Sequence, residues 1–288
     1  MPFGLCNAPA TFQRTMDMVL AGIKWKTCLV YIDDIIVFSN TFENHLKDLK
    51  DLFARLNSFN LKLKASKCFF CKRSVGHVVG QEGIQVDQKK IAAVEQVKQP
   101  TSVTEVKSFL GLTGYYRKFI KNYAKTAEPL TQLTRVTKTE FEWDDKCTVA
   151  FEKLKEFLMK APILKYPDFG RVFKIQTDAC DAGLGAVLSQ DFGEGESAIM
   201  FASRTLTDAE RKWATREKEA LAVIWACELF RPYIVGRRFI VETDHESLRW
   251  LLNSKSGGRI ARWNLRLQEF DMEIKHRKGK LNANADGL

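Results

Sequence analysis

Two stretches of this chain run an apolar strand into a carboxylate, and that arrangement restricts what the chain can fold into. Phe173, Ile175 and Thr177 alternate with Lys174 and Gln176 and lead into Asp178, which is strand spacing. Phe239-Ile-Val-Glu-Thr243 leads into Asp244 in the same way, and a helix-start pattern follows. Small residues after Asp178, among them Gly183 and Gly185, precede a second alternation over Leu184, Ala186 and Leu188, so a strand returns beside the first. A carboxylate at the end of a buried strand is costly unless something pairs with it. Residues 208–230, between the two acids, pattern as one long helix. Its apolar face is Leu221, Ile224, Trp225 and Glu228-Leu229, with Glu219 near that face. Asp286 follows a last strand, 270–276, and a Lys/Gly/Asn loop. Four carboxylates from separate elements suit hard divalent cations. Two such ions can clamp the attacking and leaving oxygens of a phosphodiester.

The first part of the chain has its own acidic feature. Pro9 suits a helix start, and Phe12, Met16, Val19 and Leu20 recur at helical spacing. Cys28-Leu-Val-Tyr-Ile-Asp33-Asp34-Ile-Ile-Val-Phe-Ser39 sets two short β-branched runs around an acidic pair, which reads as a hairpin with both carboxylates at the turn. Along a strand the two acids point to opposite sides, so one can be the main metal ligand and the other its support. Taken alone, the dipeptide reads as a solvated turn.

Residues 43–56 pattern as an amphipathic helix, 61–70 as a strand, and 75–84 as a glycine-punctuated turn region. A helix over 89–97 ends at Pro100, and another begins near Ser102, with Glu105 in capping-box spacing. Val103, Val106, Phe109, Leu110, Phe119 and Ile120 form its buried stripe. Residues 115–125 interleave aromatics with bases. That suits either a duplex-tracking surface or a core helix with a solvated basic face. Residues 134–140 read as a linker, and 147–160 as a helix with Phe151, Leu154 and Leu158 on one side. Cys68-Phe-Phe-Cys71 has zinc-like spacing but no second pair, and reads as core packing.

The 288 residues are enough for two or more compact domains. A net charge of +10 beside an acidic cluster suggests a polyanionic partner, although solubility alone would account for the charge. No run is long and apolar enough to span a membrane, and no signal-peptide pattern opens the chain. Seven scattered cysteines suggest a reducing compartment.

The order strand-Asp, strand, strand, helix-Glu, strand-Asp and a late Asp resembles ribonuclease H. The wording resembles the RNase H domain in the Pol polyprotein of gypsy-class LTR retrotransposons. It does so at Thr177-Asp-Ala, Gly183-Leu-Gly-Ala-Val-Leu-Ser-Gln190, Phe201-Ala-Ser-Arg-Thr-Leu206, Glu217-Lys-Glu-Ala-Leu-Ala222, Thr243-Asp-His-Glu-Ser-Leu248 and Asn282…Ala285-Asp286. Met1-Pro-Phe-Gly-Leu…Asn7-Ala-Pro-Ala-Thr-Phe-Gln13 followed by Tyr31-Ile-Asp-Asp34 resembles reverse transcriptase.

The resemblance implies that Asp178, Glu219, Asp244 and Asp286 bind metal and that Asp181, Glu217 and Glu246 do not. Helical geometry says only that Glu217 and Glu219 cannot both face the strand ends; the resemblance selects Glu219. It further implies that Asp33 and Asp34 are two of three palm carboxylates and that Phe3 and Gly4 border the incoming nucleotide. The third palm carboxylate and the fingers lie upstream in the family, so this chain alone is not expected to polymerise. Related nucleases keep a His before the last Asp, aiding product release or protonation, and His276 stands there. Gypsy-class sequences usually carry Tyr at that place, and a surface His is the alternative reading. Gly287 replaces the family's Ala and little chain follows, so Asp286 is expected to be loosely held.

The implied fold is a multidomain α+β and α/β chain. A partial reverse-transcriptase palm (1–85) and thumb (86–135) are followed by a connection (136–169) and an RNase H-like mixed five-stranded sheet with helices (170–288). The implied activities are those of an incomplete RNA-directed DNA polymerase and of an RNase H using Mg²⁺, or Mn²⁺ in its place. The implied partners are RNA/DNA hybrid, primer-template nucleic acid, and other Pol segments: fingers, upstream palm and integrase. No membrane is implied. The implied location is the cytoplasm, in a virus-like particle, with nuclear access. The alternative is a non-catalytic nucleic-acid-binding remnant of a decayed element.

Overall fold

The computed structural model describes residues 6–70, 77–80, 82–135, 141–244 and 259–276. The chain divides into two compact units, Met1–Lys72 and Arg73–Leu288.

In the first unit, helix α1 (Ala8–Val19) carries proline in its first turn. Strands β1 (Cys28–Tyr31) and β2 (Asp34–Val37) pair antiparallel. Helix α2 (Phe42–Ser58) starts where the Thr41 hydroxyl accepts from the Asn44 amide, which satisfies one of the free N–H groups of the first turn. Met16, Val19, Leu20, Cys28, Leu52 and Leu56 form the core. The strand expected over 61–70 does not form. Among the described residues this stretch has no ladder partner, and its only regular element is a 3₁₀ turn at Ala65–Lys67. Alternation alone does not make a strand when no neighbour satisfies its backbone. Phe69 and Phe70 are 65% and 55% exposed rather than core.

The second unit opens with the hairpin β3 (His77–Gly80) and β4 (Gly83–Val86). There follow α3 (Gln88–Glu95), α4 (Val103–Tyr115), a 3₁₀ turn at Arg117–Phe119, α5 (Tyr123–Thr126), α6 (Glu128–Leu133) and α7 (Asp145–Met159). They share one core, built on Val86, Val106, Phe109, Phe119, Leu154 and Leu158. Residues 77–80 and 82–85, placed by sequence with the palm, lie in this unit. Ser102 caps α4 by accepting from the Glu105 amide, and Glu105 reaches back to the Thr101 N–H at 2.7 Å. Tyr116, Phe119 and Ile120 are buried and Tyr115 is 56% exposed, so the aromatics of 115–125 mostly serve the core. His77 stacks on Tyr115 at 5.2 Å and touches Tyr116 and Phe119. Burial holds its imidazole below the ordinary histidine range.

Gly83 has φ of +144°, and a Cβ there would lie 2.1 Å from the Leu164 carbonyl oxygen. That approach allows the paired hydrogen bonds between Ile84 and Leu164, both 2.8 Å. Gly83→Ala is expected to destabilise the unit by about 1–3 kcal/mol, measured by urea denaturation.

The remainder is a five-stranded mixed sheet. Its strands are β5 (Phe173–Ala179), β6 (Gly183–Asp191), β7 (Glu196–Thr205), β8 (Phe239–Thr243) and β9 (Met272–His276), in the order β7-β6-β5-β8-β9. β6 pairs antiparallel with both β5 and β7, while β5–β8 and β8–β9 are parallel. The expected long helix is two: α8 (Asp208–Arg211) and α9 (Thr215–Ile234). Thr207 and Glu210 close a capping box on α8. Glu217 then caps a new start by accepting from the Ala214 amide at 3.2 Å. The buried side of α9 is Ala220, Val223, Cys227, Phe230 and Ile234, packed on Phe173, Ile175 and Val241. Glu228 and Leu229 face outward instead. Helix α10 (Arg259–Leu267) places Trp263 and Leu267 in the same core.

Candidate active site

The first candidate is the β1–β2 turn. Asp33 lies in the turn and Asp34 begins β2, opposite Tyr31, so the expected acidic hairpin forms and both acids are exposed. Ile32 has φ of +54°, a left-handed backbone unfavourable for a β-branched residue. Gln13 on α1 holds the turn: its Oε1 accepts from the Ile32 amide at 2.6 Å, and its Nε2 donates to Asp17 at 2.9 Å. No sequence pattern within the hairpin signals Gln13; its place in the Phe12-Gln13 phrase was the available hint. Gln13→Ala is expected to cost about 1–2 kcal/mol and to speed hydrogen exchange at the Ile32 amide, read by NMR. Phe3 and Gly4 lie outside the described residues.

The second candidate is the end of the five-stranded sheet. In the parallel β5–β8 ladder Gln176 pairs with Glu242. Two residues further on, Asp178 and Asp244 reach the same edge on neighbouring strands, which lie about 4.8 Å apart. Gly185 faces Asp178 across the ladder. Side-chain room there is taken by Asn122, whose Oδ1 would be 2.3 Å from a Cβ on Gly185. Glu219 sits in the second turn of α9 and is 2% exposed. A carboxylate so buried requires compensation from charge or hydrogen bonds.

Glu217, the rival acid, is occupied as the α9 cap. Asp181 is engaged by Lys218 at 2.6 Å, which holds its carboxyl below the usual range. His276 ends β9 opposite Thr243, and its Nε2 donates to the Asp244 carbonyl oxygen at 2.9 Å. A carbonyl oxygen can only accept, so Nε2 carries the proton of this bond. Glu246 and Asp286 lie outside the described residues.

Asp178, Glu219 and Asp244 offer only carboxylate oxygens, the donor type that magnesium takes. The structure brings Asp178 and Asp244 to one edge. Among the described residues, no three His, Cys, Asp or Glu side chains close into a group able to hold an ion by themselves.

Several bases of this part of the chain, a residue type that could meet phosphates, are engaged within the protein. Arg204 pairs with Glu210 at 2.9 Å, Arg237 donates to the Phe169 carbonyl at 2.6 Å, and Lys218 is buried against Asp181. Arg249 and Lys255 lie outside the described residues.

The family model for reverse transcriptase (RNA-dependent DNA polymerase) matches residues 1–113, and that for the RNase H-like domain found in reverse transcriptase matches residues 168–270. The retrovirus-related Pol polyprotein from transposon 297 of Drosophila melanogaster is 45% identical over 296 residues, covering 100% of this chain and 27% of that protein. The corresponding polyprotein from transposon gypsy of the same organism is 36% identical over 304 residues, covering 100% of this chain and 29% of that protein. The chain thus spans between a quarter and a third of these relatives' length.

Among solved structures, the foamy viral protease-reverse transcriptase in complex with RNA/DNA hybrid has a TM-score of 0.78 at 22% identity. The match covers 97% of this chain and 39% of that one. The same viral protein in complex with double-stranded DNA has a TM-score of 0.71 at 22% identity, covering 97% and 60%. At this identity the likeness concerns the fold. The two family models follow one another along the chain, and curated relatives match its whole length. The chain therefore belongs to the retrovirus-related Pol polyproteins of retrotransposons, as a stretch with a reverse transcriptase domain followed by an RNase H-like domain.

Proposed function

We propose that the RNase H-like part of this chain hydrolyses the RNA strand of RNA/DNA hybrids, at a site built from Asp178, Glu219 and Asp244 with Asp286. The observation that carries this reading is the arrival of Asp178 and Asp244 at one sheet edge, with Glu219 buried on the helix packed against β5. These residues would hold Mg²⁺, or Mn²⁺ in its place. When bound, the metal polarises the phosphodiester and makes a water nucleophilic at neutral pH. His276, bonded to the Asp244 carbonyl, stands at the same edge and assists product release.

A hybrid is selected by its shape and 2′-hydroxyls, with little sequence preference. The net charge of +10 favours such a polyanion. The foamy viral protein was solved with RNA/DNA hybrid and with double-stranded DNA, and we assign both partner classes to this chain. Asp33 and Asp34 supply two carboxylates of a polymerase site, with Phe3 and Gly4 bordering the nucleotide. The third carboxylate comes from another Pol segment, and the work takes place in a cytoplasmic virus-like particle.

The test is incubation with Mg²⁺ and end-labelled hybrid or DNA duplex. The expected result is cutting of the RNA strand alone. Hybrid binding without cutting would leave a non-catalytic binding protein.

A further inference from the structure

Lys218 precedes Glu219 in α9 and is 5% exposed. Its Nζ donates to Asp181 Oδ1 at 2.6 Å. Asp181 lies in the turn between β5 and β6, three residues after Asp178, and its side chain is 98% exposed. One ion pair therefore joins the residue beside the buried glutamate to the turn beside the strand-end aspartate.

The rest of α9 is held to the sheet by apolar side chains such as Val223, Cys227 and Phe230. Apolar contacts are non-directional, so they set the depth of the helix better than its register along the sheet. A charge-assisted hydrogen bond is directional, and this one acts at the end of the helix where Glu219 stands. An ammonium buried to this degree also needs its partner, which makes the contact persistent.

We propose that Lys218 and Asp181 are a positioning pair that fixes Glu219 relative to Asp178. Lys218 is thereby assigned to the protein's own geometry rather than to a substrate phosphate. The inference rests on the carboxylate site proposed above.

The test compares the whole chain with its Asp181→Asn, Asp181→Glu and Asp178→Asn variants. Mg²⁺ binding is read by calorimetry, and hybrid cleavage is read as separate kcat and KM. Asp181 is exposed, so Asp181→Asn should keep the fold, checked by circular dichroism. Asp181→Asn is expected to weaken Mg²⁺ binding and lower kcat, each by roughly tenfold, as for other residues that hold a metal ligand in place. KM for the hybrid should not change, and Asp181→Glu should restore both quantities.

Three results would overturn the pair: Mg²⁺ binding and kcat equal to wild type in Asp181→Asn, a loss that Asp181→Glu fails to restore, or a change in KM and its salt dependence with kcat intact. The last would make Lys218 a phosphate contact. If the wild type cleaves and Asp178→Asn does not, a failure in the Asp181 variants falls on the pair alone. If the wild type neither binds Mg²⁺ nor cleaves, the carboxylate site itself fails.

Discussion

Asp178→Asn is expected to lower hybrid cleavage by roughly 10³-fold, the upper range for removing one electrostatic contact to a reacting centre. The substitution keeps the shape of the side chain and removes its charge. Asp178 is the penultimate residue of β5, opposite Gly185, in a ladder that continues to Ala179 opposite Leu184. Its backbone hydrogen bonding is independent of the side chain, so the strand should persist. Affinity for the hybrid should be retained, because most of it comes from phosphate contacts spread over the surface. The measurement is single-turnover cleavage beside a filter-binding titration. A parallel fall in both would mean that the variant had lost its fold rather than its chemistry.

Phe230→Ala is expected to have the largest effect on stability, about 3–5 kcal/mol. Phe230 is 0% exposed, in the third and last part of α9, inside the cluster formed with Phe173, Phe239 and Cys227. Removing the ring leaves a cavity between the helix and the strands that end in Asp178 and Asp244. Dense cores do not collapse fully around such a void. Urea denaturation followed by tryptophan fluorescence reads the change, and Trp225 and Trp263 report on the same core. A loss below about 1 kcal/mol would show that α9 is not held to the sheet by this side chain.

The parts of the fold visible in the sequence were those where the local pattern and the tertiary environment agree. The alternation of Phe173, Ile175 and Thr177 reflects a strand with one face on α9, and its partner alternation gave β6. The YIDD hairpin was legible because β-branched runs flank an acidic pair. The stretch over 61–70 showed the same alternation but found no neighbour, since pairing is a non-local property. The break between α8 and α9 was hidden because the new start at Ala214 has no Ser, Thr, Asp or Asn side chain as its cap and is closed by Glu217 instead, while the residues on either side keep helical spacing. Glu228-Leu229, expected on the apolar face, turn outward because the phase of α9 is set from Ala214 rather than from Asp208.

The site was legible more unevenly. Asp178 and Asp244 announce themselves because a carboxylate closing an apolar strand is rare without purpose. Glu219 and Glu217 could not be separated by spacing alone. The structure separates them physically, one buried at 2% exposure and the other spent on capping the helix. Lys218 was legible only as one base among many, because its partner Asp181 is 37 residues away. Gln13 was invisible as a support for the Ile32 turn for the same reason, with its contact lying 19 residues along the chain.

The most direct test of the central claim is a time course of RNA-strand cleavage in an end-labelled RNA/DNA hybrid, with Mg²⁺, for the wild type and Asp178→Asn side by side. The expected result is internal cuts in the RNA that require Mg²⁺ and disappear in the variant. Equal cleavage by both proteins, or none by a folded, hybrid-binding wild type, would contradict it.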